Sequence, residues 1–262
     1  MNTTAKIAAF EVRDVLRSRW LIGYALFFLV VTDTLLRFGS GDKALLSLVN
    51  VVLFVTPLVT LVFATVYQYN SREFIELLLA QPVKRRQLFG GLYLGVALPL
   101  SVVFIASVTF PMMVHRANSS VAIGTLGALL GTGFALTAIF TAIAFLIVAR
   151  VDDRMKGLGV AIVLWLMFAV LYDGVVLLLV AIFADYPLER PLLGLMALNP
   201  VDLARVALLL RFDVSALLGY TGAVMRQFFG GGFGLAIASS ALAVWVAVPL
   251  VLAFRGFDRK DF

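Results

Sequence analysis

Six long stretches almost free of charge, at residues 20–36, 44–67, 88–114, 121–149, 158–183 and 233–254, constrain this chain more than any other feature. A helix crossing the hydrocarbon core of a bilayer needs roughly 20 consecutive apolar residues. Sixty-two per cent of the 262 residues are hydrophobic and only 14% are charged, too few to cover a water-facing surface. The sequence therefore predicts an all-α polytopic membrane protein with six transmembrane helices, one transmembrane domain over residues 1–262, and it excludes a soluble enzyme.

The segment before the first stretch is charged and no small-residue cleavage site follows that stretch, so it is read as a retained helix and not a signal peptide. Within residues 1–19, Ala5, Ala8, Val12, Val15 and Leu16 fall on one side at helical spacing. Lys6, Arg13 and Arg17 fall on the other, the pattern of a helix lying in the membrane interface. With both termini in the cytoplasm, the inside segments hold 14 of the 21 lysines and arginines and the outside segments 7, as the positive-inside rule requires. The net charge of +6 is thus explained by membrane orientation, and nucleic-acid binding is not indicated.

Two connections are too structured to be simple loops. Residues 68–87 contain Phe74-Ile75-Glu76-Leu77-Leu78-Leu79-Ala80, then Gln81-Pro82-Val83-Lys84-Arg85-Arg86, which reads as a short amphipathic helix ended by Pro82 with apolar residues that need a docking surface. Residues 184–232 form a long outer segment with an apolar run at 192–198 and a second helix starting at Asn199, both expected to dip into the outer leaflet. Asn199 can cap that helix, Pro200 suits its first turn, and Asp202 favours the positive end of its dipole. Gly230, Gly231 and Gly232 supply a break before the last span.

Several chemistries are excluded within one chain. No Gly-Lys pair exists, so there is no Walker phosphate loop. A single histidine, His115, rules out a paired-imidazole metal site and a metalloprotease helix, and zero cysteines rule out thiolate chemistry. Met112 and Met113 beside His115 read as packing filler near an interfacial histidine, and no metal site is assigned. Asp33 and Asp173 are the acidic residues inside the apolar stretches, where a charge costs roughly 3 kcal/mol on insertion scales. Arg37, one turn along, accounts for Asp33. For Asp173, in Val170-Leu171-Tyr172-Asp173-Gly174, lining a polar path and polar helix packing both fit. The pairs Gly91/Gly95 and Gly127/Gly131 permit close helix approach, and Pro57 and Pro99 are expected to kink their spans.

This arrangement resembles the ABC-2 class of ABC-transporter permeases: an interfacial N-terminal helix, two spans, a cytoplasmic coupling helix, three spans, a re-entrant outer loop and a last span. The most specific motif is Glu76 through Arg86, similar to that family's coupling segment ending in Pro-Val and a basic residue. Leu198-Asn199-Pro200-Val201-Asp202-Leu203-Ala204-Arg205, with Tyr172-Asp173, looks like the NosY-like branch, the permeases of nitrous oxide reductase maturation. The chain departs from the family at Tyr69-Asn70-Ser71-Arg72-Glu73, where an acidic, glycine-rich lead is usual.

The resemblance implies a multi-pass subunit of the inner membrane, paired with a second copy of itself and with two copies of a cytoplasmic ABC ATPase that carries the ATP and Mg. It implies no cofactor and no catalytic residue in this chain. Glu73, Glu76, Leu77, Leu78, Pro82 and Lys84 would couple to the ATPase, and Tyr172, Asp173, Asn199, Asp202 and Arg205 would line or gate the path. The cargo would be a small species for building a copper-sulfur centre, passed to a periplasmic acceptor protein. An ABC-2 exporter of lipid, peptide or drug, and a membrane scaffold or assembly subunit that transports nothing, remain alternatives.

Overall fold

The computed structural model describes residues 3–39, 41–115, 123–183, 194–211 and 232–259, and over these the chain is helical without a strand. In chain order the helices are α1 (Thr3–Leu16), α2 (Arg19–Phe38), α3 (Gly41–Asn70), α4 (Arg72–Leu79), α5 (Arg85–Val114), α6 (Ile123–Arg150), α7 (Arg154–Leu166), α8 (Tyr172–Ile182), α9 (Pro200–Arg211) and α10 (Gly232–Arg259). A wide π-helical turn, Met167–Leu171, joins α7 to α8 into one span. Six segments are long and apolar enough to cross a membrane: Arg19–Phe38, Ala44–Asn70, Arg85–Val114, Gly124–Arg150, Arg154–Ile182 and Ala236–Arg259. They coincide with the six stretches read from the sequence. The glycines at 230 and 231 lie outside the described residues, as does most of the outer segment 184–232.

α5 and α6 form the centre. Phe104 of α5 is fully buried against Phe28 of α2, edge to face with ring centroids 5.2 Å apart. Ser101, Thr137 and Thr141 turn their hydroxyls back onto carbonyls four residues earlier, so these polar atoms sit in the apolar interior at little cost. Pro57 and Pro99 lie inside helices that run on past them. Span 5 carries a π turn where no proline stands.

α1 packs on the bundle through a side that overlaps the apolar one at Val15, with Ala8 and Val12 half-buried beside it. Ile7, Glu11 and Val15 are the buried residues, while Ala5 and Leu16 are exposed. The reason lies in α5: a Cβ on Gly91 would stand 2.8 Å from Ile7 Cγ2, and one on Gly95 would stand 2.2 Å from Glu11 Cβ. The two glycines open a groove on α5 that α1 fills. Glu11 tolerates this site because the Tyr67 hydroxyl of α3 bonds its carboxylate and also lies 2.9 Å from Asp14. A phenol has one hydrogen, so holding both carboxyls requires a second proton. Burial pushes the Glu11 carboxyl above its usual range and the Asp14 charge adds to this, outweighing the lowering effect of the Tyr67 hydroxyl. The other glycine pair, Gly127 and Gly131, has open space above it.

Gly95→Leu is expected to displace α1 and cost about 2 kcal/mol through overpacking. Gly23→Leu, where no atom lies within 4 Å, should be close to neutral. Thermal unfolding of the two variants in the same detergent separates them.

Candidate functional site

The five residues that the sequence marked as path or gate come together at one place, between span 5 and α9. Arg205 Nη1 lies 3.0 Å from Asp173 Oδ2 and 3.0 Å from Asp202 Oδ1, so one guanidinium serves two carboxylates. Asn199 is fully buried and donates through Nδ2 to Asp202 Oδ2, at 3.0 Å, and to the Phe168 carbonyl, at 2.9 Å. Its Oδ1 accepts from the Val201 N–H at 2.9 Å, which caps α9. Tyr172 donates to the Leu195 carbonyl.

Local sequence dictates this assembly. The π turn re-aims span 5 so that the Phe168 carbonyl meets a side chain from outside its own helix. Pro200 starts α9 without wasting an N–H, and Asp202 and Arg205 then share a face at spacing three. Asp173 therefore obtains its basic neighbour from α9, although no span supplies one.

Sequence reasoning missed two members. Trp245 of α10 donates its indole N–H to the Ala197 carbonyl at 3.0 Å. Phe168 stands edge-on between Phe140 at 6.2 Å and Trp245 at 5.6 Å. A tryptophan inside an apolar run was the available signal, because its N–H must find an acceptor there. The carbonyls of Phe168, Leu195 and Ala197 are thus each held by a side chain, as a dry environment demands of irregular backbone. Beside Arg205 a recess of about 410 Å³ opens, walled by Phe27, Asn50, Phe54, Ala169 and Val201.

At the opposite, basic end of the bundle lies α4. Ile75 is buried, Leu78 and Leu79 pack on the core, and Phe74 stacks on Phe10 of α1 with centroids 5.2 Å apart. Glu73, Glu76, Leu77, Pro82 and Lys84 point outward, and Leu77 is 60% exposed. Leu78 is thereby separated from the other coupling candidates, since its side chain belongs to the packing beneath α4. Arg72 pairs with Glu76 at 3.1 Å. At the end of spans 1 and 3 away from α4, Asp33 binds Arg37 at 2.7 Å and His115 Nε2 at 2.8 Å, while Met112 is buried in the core. Among the described residues no cluster of histidines and carboxylates could hold a metal ion.

Residues 5–262 match the profile of the ABC-2 family transporter protein. The chain belongs to that family. It is 28% identical to the probable ABC transporter permease protein NosY of Pseudomonas aeruginosa over 271 residues, covering 97% of each chain. It is 26% identical to the protein of the same description in Stutzerimonas stutzeri over 277 residues, covering 99% of each. An ABC-2 permease subunit of NosY-like type accounts for the six spans.

Burial and the neighbouring Asp173 carboxylate push Asp202 up to about 6, against the lowering by Arg205 and Asn199. A carboxyl that holds its proton more tightly when folded favours folding at low pH, and that contribution is lost as pH rises from about 4 to 6. Thermal stability is expected to fall across this window by an amount on the order of 2 kcal/mol. Asp202→Asn should flatten the dependence, measured as melting temperature against pH.

Proposed function

We propose that this chain is the membrane half of an ATP-driven exporter, working as two copies with two copies of a separate cytoplasmic ATPase that binds the ATP and Mg. The observation that carries this reading is the outer face of α4. A leucine 60% exposed beside Glu73 and Glu76, on a helix whose other side is already anchored, is a contact awaiting a partner. Pro82 and Lys84 extend that face, and with both termini cytoplasmic the positive-inside rule puts it on the ATPase side.

The second copy is suited to span 5. From α7 through α8 only Gly157 and Ala161 are buried, and Val163, Leu171, Leu177 and Leu178 lie bare. Such a face borders either lipid or a twin. With a twin there, the Tyr172, Asp173, Asn199, Asp202 and Arg205 cluster lies beside the dimer axis and can line or gate an outward path.

In this mechanism ATP-driven closure of the ATPases pushes α4, and the push reaches the spans through α1 and α3. The cargo, on the NosY-like resemblance, is a small species for copper-sulfur centre maturation, handed to a periplasmic acceptor in a bacterial inner membrane. Neither role requires catalysis by this chain.

The test is co-purification of the chain with an ATPase encoded beside it. Glu76→Ala with Leu77→Arg should abolish association while leaving the melting temperature within about 2 °C of wild type, because both side chains are outside the core. Retained association with every such change, or no ATPase binding at all, would shift the reading to a membrane scaffold. Asp173→Asn should uncouple cargo-stimulated ATP hydrolysis in the reconstituted complex, and unchanged coupling would remove Asp173 from the path.

A further inference from the structure

α6 and α10 run side by side and both end in arginine at the basic end of the bundle. α6 finishes on Arg150, and α10 carries Arg255 and Arg259 one turn apart. These three arginines and Asp152 line a recess of about 500 Å³, whose apolar wall is made by Ala149, Leu252 and Gly256. The helices meet closely there: a Cβ on Gly256 would stand 3.0 Å from Ala149 Cβ, so the arginines of the two helices are drawn onto one recess.

Two arginines near this recess have acceptors. Arg72 pairs with Glu76, and Arg85 donates to the carbonyls of Phe257 and Asp258 at 3.3 and 2.7 Å. Arg150, Arg255 and Arg259 bond no acceptor among the described residues. Two like charges one turn apart repel, and a third beside them adds to it, with a single carboxylate in the recess to offset three guanidiniums. Membrane orientation asks for basic residues near span ends; it does not ask for three of them to converge on a cavity.

The position identifies what relieves this repulsion. The recess straddles the level at which α6 and α10 change from apolar to charged, with Ala149 and Leu252 on one side and guanidiniums on the other. That boundary is where a phospholipid places its phosphate, and the guanidinium fork matches phosphate oxygens in pairs. We propose that this recess is a binding site for the phosphodiester headgroup of an anionic phospholipid, held by Arg150, Arg255 and Arg259, with its first methylenes against Ala149 and Leu252. The bound lipid would fix spans 4 and 6 together at this end.

The measurement is native mass spectrometry of the full-length chain released from phosphatidylcholine vesicles containing a minority of phosphatidylglycerol. Wild type should retain phosphatidylglycerol selectively, and each of Arg150→Gln, Arg255→Gln and Arg259→Gln should weaken retention about fivefold, with the triple variant close to background. Arg154→Gln with Lys156→Gln, at the same end but outside the recess, should retain it as wild type does. Should the triple variant fail to fold, the three single variants give the same reading. Unchanged retention in all three single variants overturns the proposal. So does displacement by inorganic phosphate at concentrations equal to the lipid's, which would make this a free-anion site, and so does loss of ATPase association with lipid retention intact, which would make it a protein contact.

Discussion

One guanidinium shared between two carboxylates allows an irregular segment to sit against the spans. Asp173 lies in an apolar run, and an ionised carboxylate there is costly without a counter-charge. Arg205 meets that need only because the π turn in span 5 and the Asn199 cap on α9 set the two helices at hydrogen-bonding distance. The same guanidinium also holds Asp202, leaving one negative charge in excess, and burial together with that charge raises the affinity of Asp202 for a proton. Geometry, charge and backbone satisfaction at this place are therefore one problem with one solution. Removing Asn199 would orphan a carbonyl, uncap a helix and loosen a carboxylate together.

The other end of the bundle follows a similar logic with different chemistry. α1 enters the groove made by Gly91 and Gly95, and that fit forces Glu11 inward. A buried carboxyl is tolerated there because Tyr67 meets it and because it can keep its proton. Phe10, on the same helix, then stacks on Phe74 of α4. α1 is consequently a strut between α4 and α5, and its amphipathic pattern describes only part of its surroundings.

What the sequence revealed follows from which forces are periodic. The six spans and the short helix before Pro82 were legible, because hydropathy and proline act locally and repeat along the chain. The cap at Asn199 and the Asp33–Arg37 pair were legible for the same reason, being contacts within one or two turns. The buried face of α1 was legible only in part. Hydrophobic patterning grouped Ala5, Ala8, Val12, Val15 and Leu16 and so included Val15, whereas a groove on a helix some 80 residues away also selected Ile7 and Glu11. The π turn at Met167–Leu171 was equally hidden, since its residues are ordinary apolar ones and the carbonyl it frees meets Asn199, 31 residues away. Arg205 as partner of Asp173 required knowing that residues 32 positions apart meet.

Span 5 contributes to both ends and so gives the proposed mechanism a physical carrier. At its start, Gly157 lies against Tyr69, whose hydroxyl donates to the Val151 carbonyl at 2.7 Å, immediately beside the first turn of α4. Further along, Trp165 donates to the Phe54 carbonyl of α3 at 3.1 Å, and beyond the π turn stand Tyr172 and Asp173. A displacement of α4 that moves Tyr69 must either tilt span 5 as a rod or be absorbed at the π turn, where the helix is widest and most easily rewound. In the second case the bond from Asn199 to the Phe168 carbonyl must change. The Asn199 to Phe168 bond is thus the contact by which a rewinding of the π turn would be felt at Asp173, Asp202 and Arg205.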